Sequence, residues 1–339
     1  MSAIIPVFIP HVGCPHDCVF CNQKKIAGTL TAPTAEAVDK IIRDALLKCG
    51  GHAEEIAFYG GSFTAIPKEQ MTEYLRTAKS FVDSGSVGGI RLSTRPDSID
   101  DDVLSTLRKY GVTTVELGTQ SMDDSVLKSS GRGHSASDTV NAAALVKKYG
   151  FKLILQMMTH LPGSDDVKDI ETARKVASLS PDGVRIYPTV VIRDTALETL
   201  WKSGRYTPAT PEQAAELGGK IIEIFKSRSI PIIRFGLNPT DDLSSGEALC
   251  GAYHPALGEM AISAWYLRLC IKAIDEKEHI SEGGVLDIFV SPNRVSAMSG
   301  QKKRNKKLLF EKYGFTEIYI HGSSDIKEGS VCVRIANKS

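Results

Sequence analysis

Three cysteines fall within eight residues, in Cys14-Pro15-His16-Asp17-Cys18-Val19-Phe20-Cys21. Thiolate sulfur is the soft ligand that iron–sulfur clusters take, and a cubane normally has four protein ligands. Three cysteines leave one iron open, and catalytic metal sites characteristically keep a vacant position. Pro15 and the lack of helical apolar spacing make the segment a loop wrapped around such a group. Two other readings stand beside this one: a zinc knuckle completed by His11 or His16, and reduced structural thiols. Zinc ligands usually come in matched pairs, which this spacing does not offer. Cys49, Cys250, Cys270 and Cys332 lie on apolar-periodic or strand-like segments and read as buried small hydrophobes.

The elements that must position the loop are legible as an alternation. Strand-like runs at 4–9, 55–59, 90–94, 114–118, 153–158 and 183–188 are separated by amphipathic stretches at 35–49, 69–82, 101–110, 136–149 and 167–179. Such an alternation implies right-handed βαβ crossovers and a parallel sheet. Six units are fewer than the eight of a closed barrel, so the expectation is an α/β fold with a partial (β/α)6 barrel. In such sheets chemistry sits at the C-terminal ends of strands. The cysteine loop follows strand one, Gly60-Gly61-Ser62-Phe63-Thr64 follows strand two, Thr94 and Arg95 end strand three, and Gln120 follows strand four. Glycines let backbone approach a ligand closely, and an Arg fork suits a carboxylate.

The barrel is expected over residues 1–230 and a barrel extension with a long helix at 255–277 over 231–280. A small βααββ module is expected over 281–339. A strand-like run at 232–237 and a polar turn at 238–242 open the extension. The module carries a basic turn with five cations among the six residues from Lys302 to Lys307. Over the whole chain the 41 basic and 40 acidic side chains nearly cancel, to a net charge of +1. An anionic partner must therefore be met by a local patch rather than a global field. The composition, 42% apolar and 24% charged, is that of an ordinary globular protein. No apolar run suggests a membrane span, and the N-terminus reads as a first strand rather than a signal peptide. Seven cysteines make an odd count and a poor disulfide framework, which favours a reducing cytoplasm.

Cys-x-x-x-Cys-x-x-Cys after the first strand, with Phe20 before the last cysteine, resembles the signature of the radical S-adenosylmethionine (SAM) superfamily. The resemblance implies a 4Fe-4S cluster on Cys14, Cys18 and Cys21 whose open iron chelates SAM. It implies one-electron cleavage of the sulfonium bond to methionine and a 5′-deoxyadenosyl radical. A reductase such as flavodoxin or ferredoxin would then supply the electron. It also places Gly60, Gly61, Ser62 and Thr64 at the motif whose backbone holds the methionine amino group, and Thr94 and Arg95 near the carboxylate or ribose. By likeness to coproporphyrinogen dehydrogenases, Gln120 and Arg132 become SAM contacts, and Gln156 stands where those enzymes carry an Asp for the ribose hydroxyls.

The stretches Ser93-Thr94-Arg95-Pro96-Asp97, Glu116-Leu117-Gly118-Thr119-Gln120-Ser121, Leu161-Pro162-Gly163 and Tyr253-His254-Pro255 narrow the resemblance to the Elongator catalytic-subunit family. That likeness implies tRNA as the substrate, while 339 residues leave no room for the family's acetyltransferase domain. Carboxymethylation from acetyl-coenzyme A is therefore not expected. The leading expectation is a radical SAM enzyme of this group acting on RNA, with tRNA as its class, and a small metabolite or tetrapyrrole is the alternative. A non-catalytic metal-bearing RNA-binding protein is a third. The module resembles the core of a KH domain, with Gly300 and Lys303 at the ends of the loop that clamps RNA. Lys302, Lys303, Lys306 and Lys307 are its candidate RNA contacts.

Overall fold

In this computed structural model residues 3–9, 14, 16–21, 32–237, 246–277 and 283–336 are described. His11, Pro15 and the expected turn at 238–242 lie outside them. The chain begins with β1 (Ile4–Ile9), where Ile5, Val7 and Ile9 are buried while Ile4 and Phe8 stand on the other face. α1 (Ala35–Lys48) starts where the Thr34 hydroxyl accepts the Ala37 N–H, an N-cap that satisfies one orphan donor. β2 (Glu55–Gly60), α2 (Lys68–Asp83), β3 (Ile90–Thr94), α3 (Asp101–Lys109) and β4 (Val112–Gln120) follow. The short α4 (Asp124–Ser129) precedes α5 (Ala136–Lys148), which opens on a reciprocal Ser135–Asp138 capping box. Then come β5 (Lys152–Thr159), α6 (Asp166–Ser178), β6 (Gly183–Pro188) and β7 (Val190–Ile192). α7 (Ala196–Lys202), α8 (Pro211–Ser227), β8 (Ile232–Phe235), β9 (Ala248–Gly251) and α9 (Leu257–Asp275) complete this part.

Among the described residues, seven strands form one parallel sheet in the order β1-β2-β3-β4-β5-β6-β8. It curls into a half-barrel with helices on its outer face. Six strands are expected in the barrel, with the run at 232–237 in the extension; instead that run joins the sheet as its seventh strand, β8, whose Ile232 pairs with Val184 of β6. The helix that delivers it, α8, contains Gly218 and Gly219, which read locally as a breaker. Their purpose is close packing: a Cβ on Gly219 would stand 2.9 Å from the Trp265 backbone nitrogen, and one on Gly218 2.8 Å from Ala261 Cβ. α8 and α9 can thus press together, backbone against backbone.

Beyond α9 the chain forms β10 (Val285–Val290), α10 (Val295–Ser299), α11 (Arg304–Tyr313), β11 (Glu317–Gly322) and β12 (Cys332–Ala336). The sheet order is β11-β10-β12, with β10 parallel to β11 and antiparallel to β12. Leu286, Ile288, Val290, Met298, Leu309 and Ile318 share one core with Tyr266, Cys270 and Ile274 of α9, so this helix belongs to both halves. Of the four scattered cysteines only Cys270 is buried; Cys49 and Cys250 are half-buried. Cys332 is exposed because it lies on the outward face of β12. No helix among the described residues is long and apolar enough to cross a membrane.

Candidate active site

The cysteine loop is tied to the barrel rim from two sides. Val19 N–H donates to Ser130 O at 3.0 Å, and Leu197 N–H donates to Val19 O at 2.8 Å. Within the loop, Cys21 N–H donates to Cys18 O at 3.0 Å, a tight turn that draws two of the cysteines together. The turn at 130–134 lies directly against the loop. A Cβ on Gly133 would stand 2.3 Å from the His16 ring, and one on Gly131 3.1 Å from Asp17 O. Both glycines have positive φ, which suits them to this close approach.

Cys14, Cys18 and Cys21 are all half-buried. Burial pushes the Cys14 thiol up from its ordinary value, opposed by the Ser62 backbone N–H and by the positive Arg132 and Arg95. Arg132 Nη1 lies 3.6 Å from Cys18 Sγ. These groups oppose the effect of burial at Cys14 without reversing it, and a bound metal would itself supply the charge that favours thiolate. The donor set therefore fits an iron–sulfur group in kind. Among the described residues no three His, Cys, Asp or Glu side chains are already gathered around one metal-sized point.

The expected SAM-facing residues converge beside this loop. Gly60 has φ 113°, and a Cβ there would stand 2.2 Å from Ile9 O. Gly61 N–H donates to that same oxygen at 3.0 Å, so the Gly-Gly pair presses against the end of β1. Three hydroxyls lock the ends of β2 and β3 together: Ser62 Oγ and Thr64 Oγ1 lie 2.8 and 2.6 Å from Thr94 Oγ1. Arg95 N–H donates to Ser62 Oγ at 3.1 Å.

Arg95 is 1% exposed, and two of its three guanidinium nitrogens are already occupied. Nε and Nη2 donate to Asp97 at 2.8 and 2.6 Å, and Nη2 also donates to Arg132 O at 2.7 Å. Burial works against the Asp97 carboxylate, and the Arg95 fork more than offsets it, holding its pKa below the usual range. Arg132 Nη2 donates to Gly118 O at 2.6 Å. Gln120 sits at φ 63°, where the pairing of β4 with β5 slips between Gly118 and Gln120. Four buried polar atoms at these strand ends lack a hydrogen-bond partner: Arg95 Nη1, Thr119 Oγ1, Gln120 Oε1 and Arg132 Nε. Buried polar atoms are nearly always satisfied, so a cluster of orphans is what a polar ligand would complete. This fits SAM, which offers both donors and acceptors.

Gln156 is placed differently from its neighbours in this set. Its Nε2 donates to Glu116 Oε2 at 2.8 Å, inside a network that the sequence did not reveal. Glu116, wholly buried, also accepts from Arg91 Nη1 at 2.8 Å, Arg185 Nε at 3.0 Å and Tyr59 OH at 3.2 Å. Arg91 is shared with Glu55 at 2.6 Å. Each charge carries its partner, as low-dielectric burial demands. The alternating polar residues of β2 to β6 were the only sequence signal for it. His254 is satisfied locally, its Nδ1 accepting the Ala256 N–H at 3.0 Å.

A parallel half-barrel with a three-cysteine loop at its rim defines a class of enzyme. The Radical SAM superfamily profile matches residues 8–176, and the Radical_SAM C-terminal domain profile matches residues 181–268. The chain belongs to the radical SAM superfamily, whose enzymes use a 4Fe-4S cluster and SAM. Its relatives include the tRNA uridine(34) acetyltransferase of Dehalococcoides mccartyi, 29% identical over 61% of this chain and 53% of that protein. Human Elongator complex protein 3 is 33% identical over 52% of this chain and 37% of its own length. The chain thus spans about half or less of these two relatives. Among solved structures, the archaeal Methanocaldococcus infernus Elp3 superposes with a TM-score of 0.60 at 24% identity, over 80% of this chain and 64% of that one. Coproporphyrinogen III oxidase of Escherichia coli gives 0.50 at 19%, over 67% and 52%. At those identities the structural likeness speaks for the fold alone.

Proposed function

We propose that this enzyme cleaves SAM reductively at a cluster held by Cys14, Cys18 and Cys21, and directs the resulting chemistry at RNA, with tRNA as substrate class. The bound cofactors supply one-electron cleavage of the sulfonium bond. The chain's own residues position and shield. Gly60 and Gly61 let main chain approach the methionine end, and the Ser62–Thr64–Thr94 hydroxyls keep that loop in register. Arg132, braced on Gly118, offers its free Nε with Gln120 Oε1. Arg95 acts through Asp97 and the Arg132 carbonyl as a positioning residue. The electron would come from a flavodoxin- or ferredoxin-type reductase.

The observation that carries the RNA assignment is the turn at 300–307. Lys302 and Lys303 both have left-handed backbones, at φ 50° and 60°. They lead into α11, whose start has no side-chain cap and no acidic residue in its first turn. Cations crowd a helix end that is itself partially positive, an arrangement that an anion relieves. Arg304 pairs with Glu216 at 2.6 Å, about one and a half turns into α8. Helices preceding a parallel strand begin at the rim where strands end, so this contact supports a basic turn on the side of the cysteine loop. The matched relative named as a tRNA uridine(34) acetyltransferase agrees in substrate class.

The test is to incubate reduced, cluster-loaded enzyme with SAM and total tRNA, then analyse nucleosides by mass spectrometry. A new modified nucleoside that appears only with SAM supports the reading. Unchanged tRNA beside turnover of a small metabolite would overturn it.

A further inference from the structure

The sheet of β10, β11 and β12 has two unlike faces. One buries Leu286, Ile288, Val290, Ile318 and Val333 in the core. The other presents Asp287, Phe289, Tyr319, His321 and Arg334, adjacent in register: Asp287 lies opposite Tyr319 and Arg334, and Phe289 opposite His321. These rings form a row. Phe289 and His321 stack with centroids 4.9 Å apart and planes at 25°, and Tyr319 lies 6.4 Å from His321. Arg334 caps Phe289 at 5.7 Å. Asp287 holds the far side of His321 at 2.5 Å, fixing the ring.

Single exposed apolar side chains are ordinary on protein surfaces, but here three rings cross adjacent strands and Tyr319 is 47% exposed. The row ends at a cavity of about 560 Å³ lined by Lys277, Phe289, Ser323, Cys332 and Arg334. On its other side lies the edge strand β11, where Lys306 Nζ of α11, a helix packed on the buried face of the sheet, reaches the edge and donates to Ile318 O at 2.8 Å, one residue from Tyr319. Lys307 follows on the same helix, and Lys302 and Lys303 precede it in the turn. A row of π-faces bordered along one edge by cations matches the chemistry of single-stranded nucleic acid, in which bases stack while phosphates pair.

The geometry points to a stacking platform for single-stranded RNA, with bases on Tyr319, His321 and Phe289 and the backbone along the lysines at the start of α11. It rests on the RNA reading above and extends it from the turn at 300–303 onto the open face of the sheet. Aromatic stacking tolerates any base, so the platform would hold a strand without selecting its sequence.

The test uses the full chain and an unstructured oligoribonucleotide carrying 2-aminopurine, read by anisotropy and by fluorescence quenching. The wild-type protein should bind and quench. Tyr319→Ala and Phe289→Leu should each weaken binding roughly 5- to 100-fold, the loss of one stacked base, with an unchanged salt slope. Tyr319→Phe should retain binding. Lys302→Ala with Lys307→Ala should instead flatten the slope of log affinity against log salt by about 0.7 per lost phosphate contact. Ring variants that melt normally and bind like wild type would overturn the platform and leave the RNA reading standing. No anisotropy change for wild type at low salt would remove both. A wild-type dimer that Tyr319→Ala renders monomeric would assign the face to a second copy of the chain instead.

Discussion

Arg132 reaches the carbonyl oxygen of Gly118 with Nη2 at 2.6 Å, and it does so because residue 118 has no side chain. A Cβ at that position would stand 2.6 Å from the same Nη2 and 3.1 Å from Gln120 Nε2. One glycine thus sets the place of two residues proposed to face the cofactor. Gly118→Ala should displace Arg132 at a modest stability cost of about 1–2 kcal/mol, because the far end of a side chain yields. SAM affinity of the cluster-loaded enzyme should fall at least tenfold. Urea melts paired with SAM titrations separate the two effects.

Gly60→Ala should behave in the opposite way. Its Cβ would strike main chain, Ile9 O at 2.2 Å, at a φ of 113° that other residues rarely adopt. Neither strand end can yield cheaply, so the expected loss is about 3 kcal/mol or more. A urea midpoint close to that of wild type would show that β1 and the Gly-Gly loop are not coupled.

Two buried groups give opposing pH dependences. Burial, helped by Arg132 and Arg95, pushes His134 down from 6.5 to about 4, and burial pushes Asp169 up from 3.8 to about 6. Between about pH 4 and 6.5 the unfolded chain carries the His134 proton that the folded protein lacks, so this group makes stability rise with pH. Asp169 does the reverse: its contribution is present below pH 3.8 and is lost as pH rises through about 6. Relative to wild type, His134→Gln should therefore gain stability as pH falls towards 4, and Asp169→Asn should lose it. Each tilt should be on the order of 2 kcal/mol, read from urea melts across that range. Parallel curves for wild type and both variants would refute the assignment.

The basic turn offers a trade between stability and binding. Lys303 holds a left-handed backbone at φ 60° where glycine would be unstrained. Lys303→Gly should stabilise the protein by about 0.5–1 kcal/mol while weakening tRNA binding. A variant that is both more stable and a better binder would mean that the lysine contributes nothing to RNA contact.

The alternation of strands and helices and the rim position of the cysteine loop were legible because apolar period and motif agreed. The strands at 4–9, 90–94 and 183–188 match β1, β3 and β6 residue for residue. α8 escaped because Gly218 and Gly219 contradict helix propensity locally and are justified only by contact with α9, roughly 45 residues away along the chain. The Glu116 network was hidden for a similar reason: a buried charge is recognisable only once its partners on four other strands are known. Arg95 was legible as a cation at a strand end, whereas its pairing with Asp97 two residues on required geometry. Cys332 shows the limit of periodicity, since a strand pattern does not say which face is wet.

The most direct measurement is the product of SAM in anaerobic, dithionite-reduced protein reconstituted with about four irons per chain. The proposed enzyme releases 5′-deoxyadenosine and methionine, and Cys18→Ala removes both the iron chromophore and that activity while the protein still folds. Methylthioadenosine as the sole product, or one tightly held zinc in place of iron with no SAM cleavage, would contradict it.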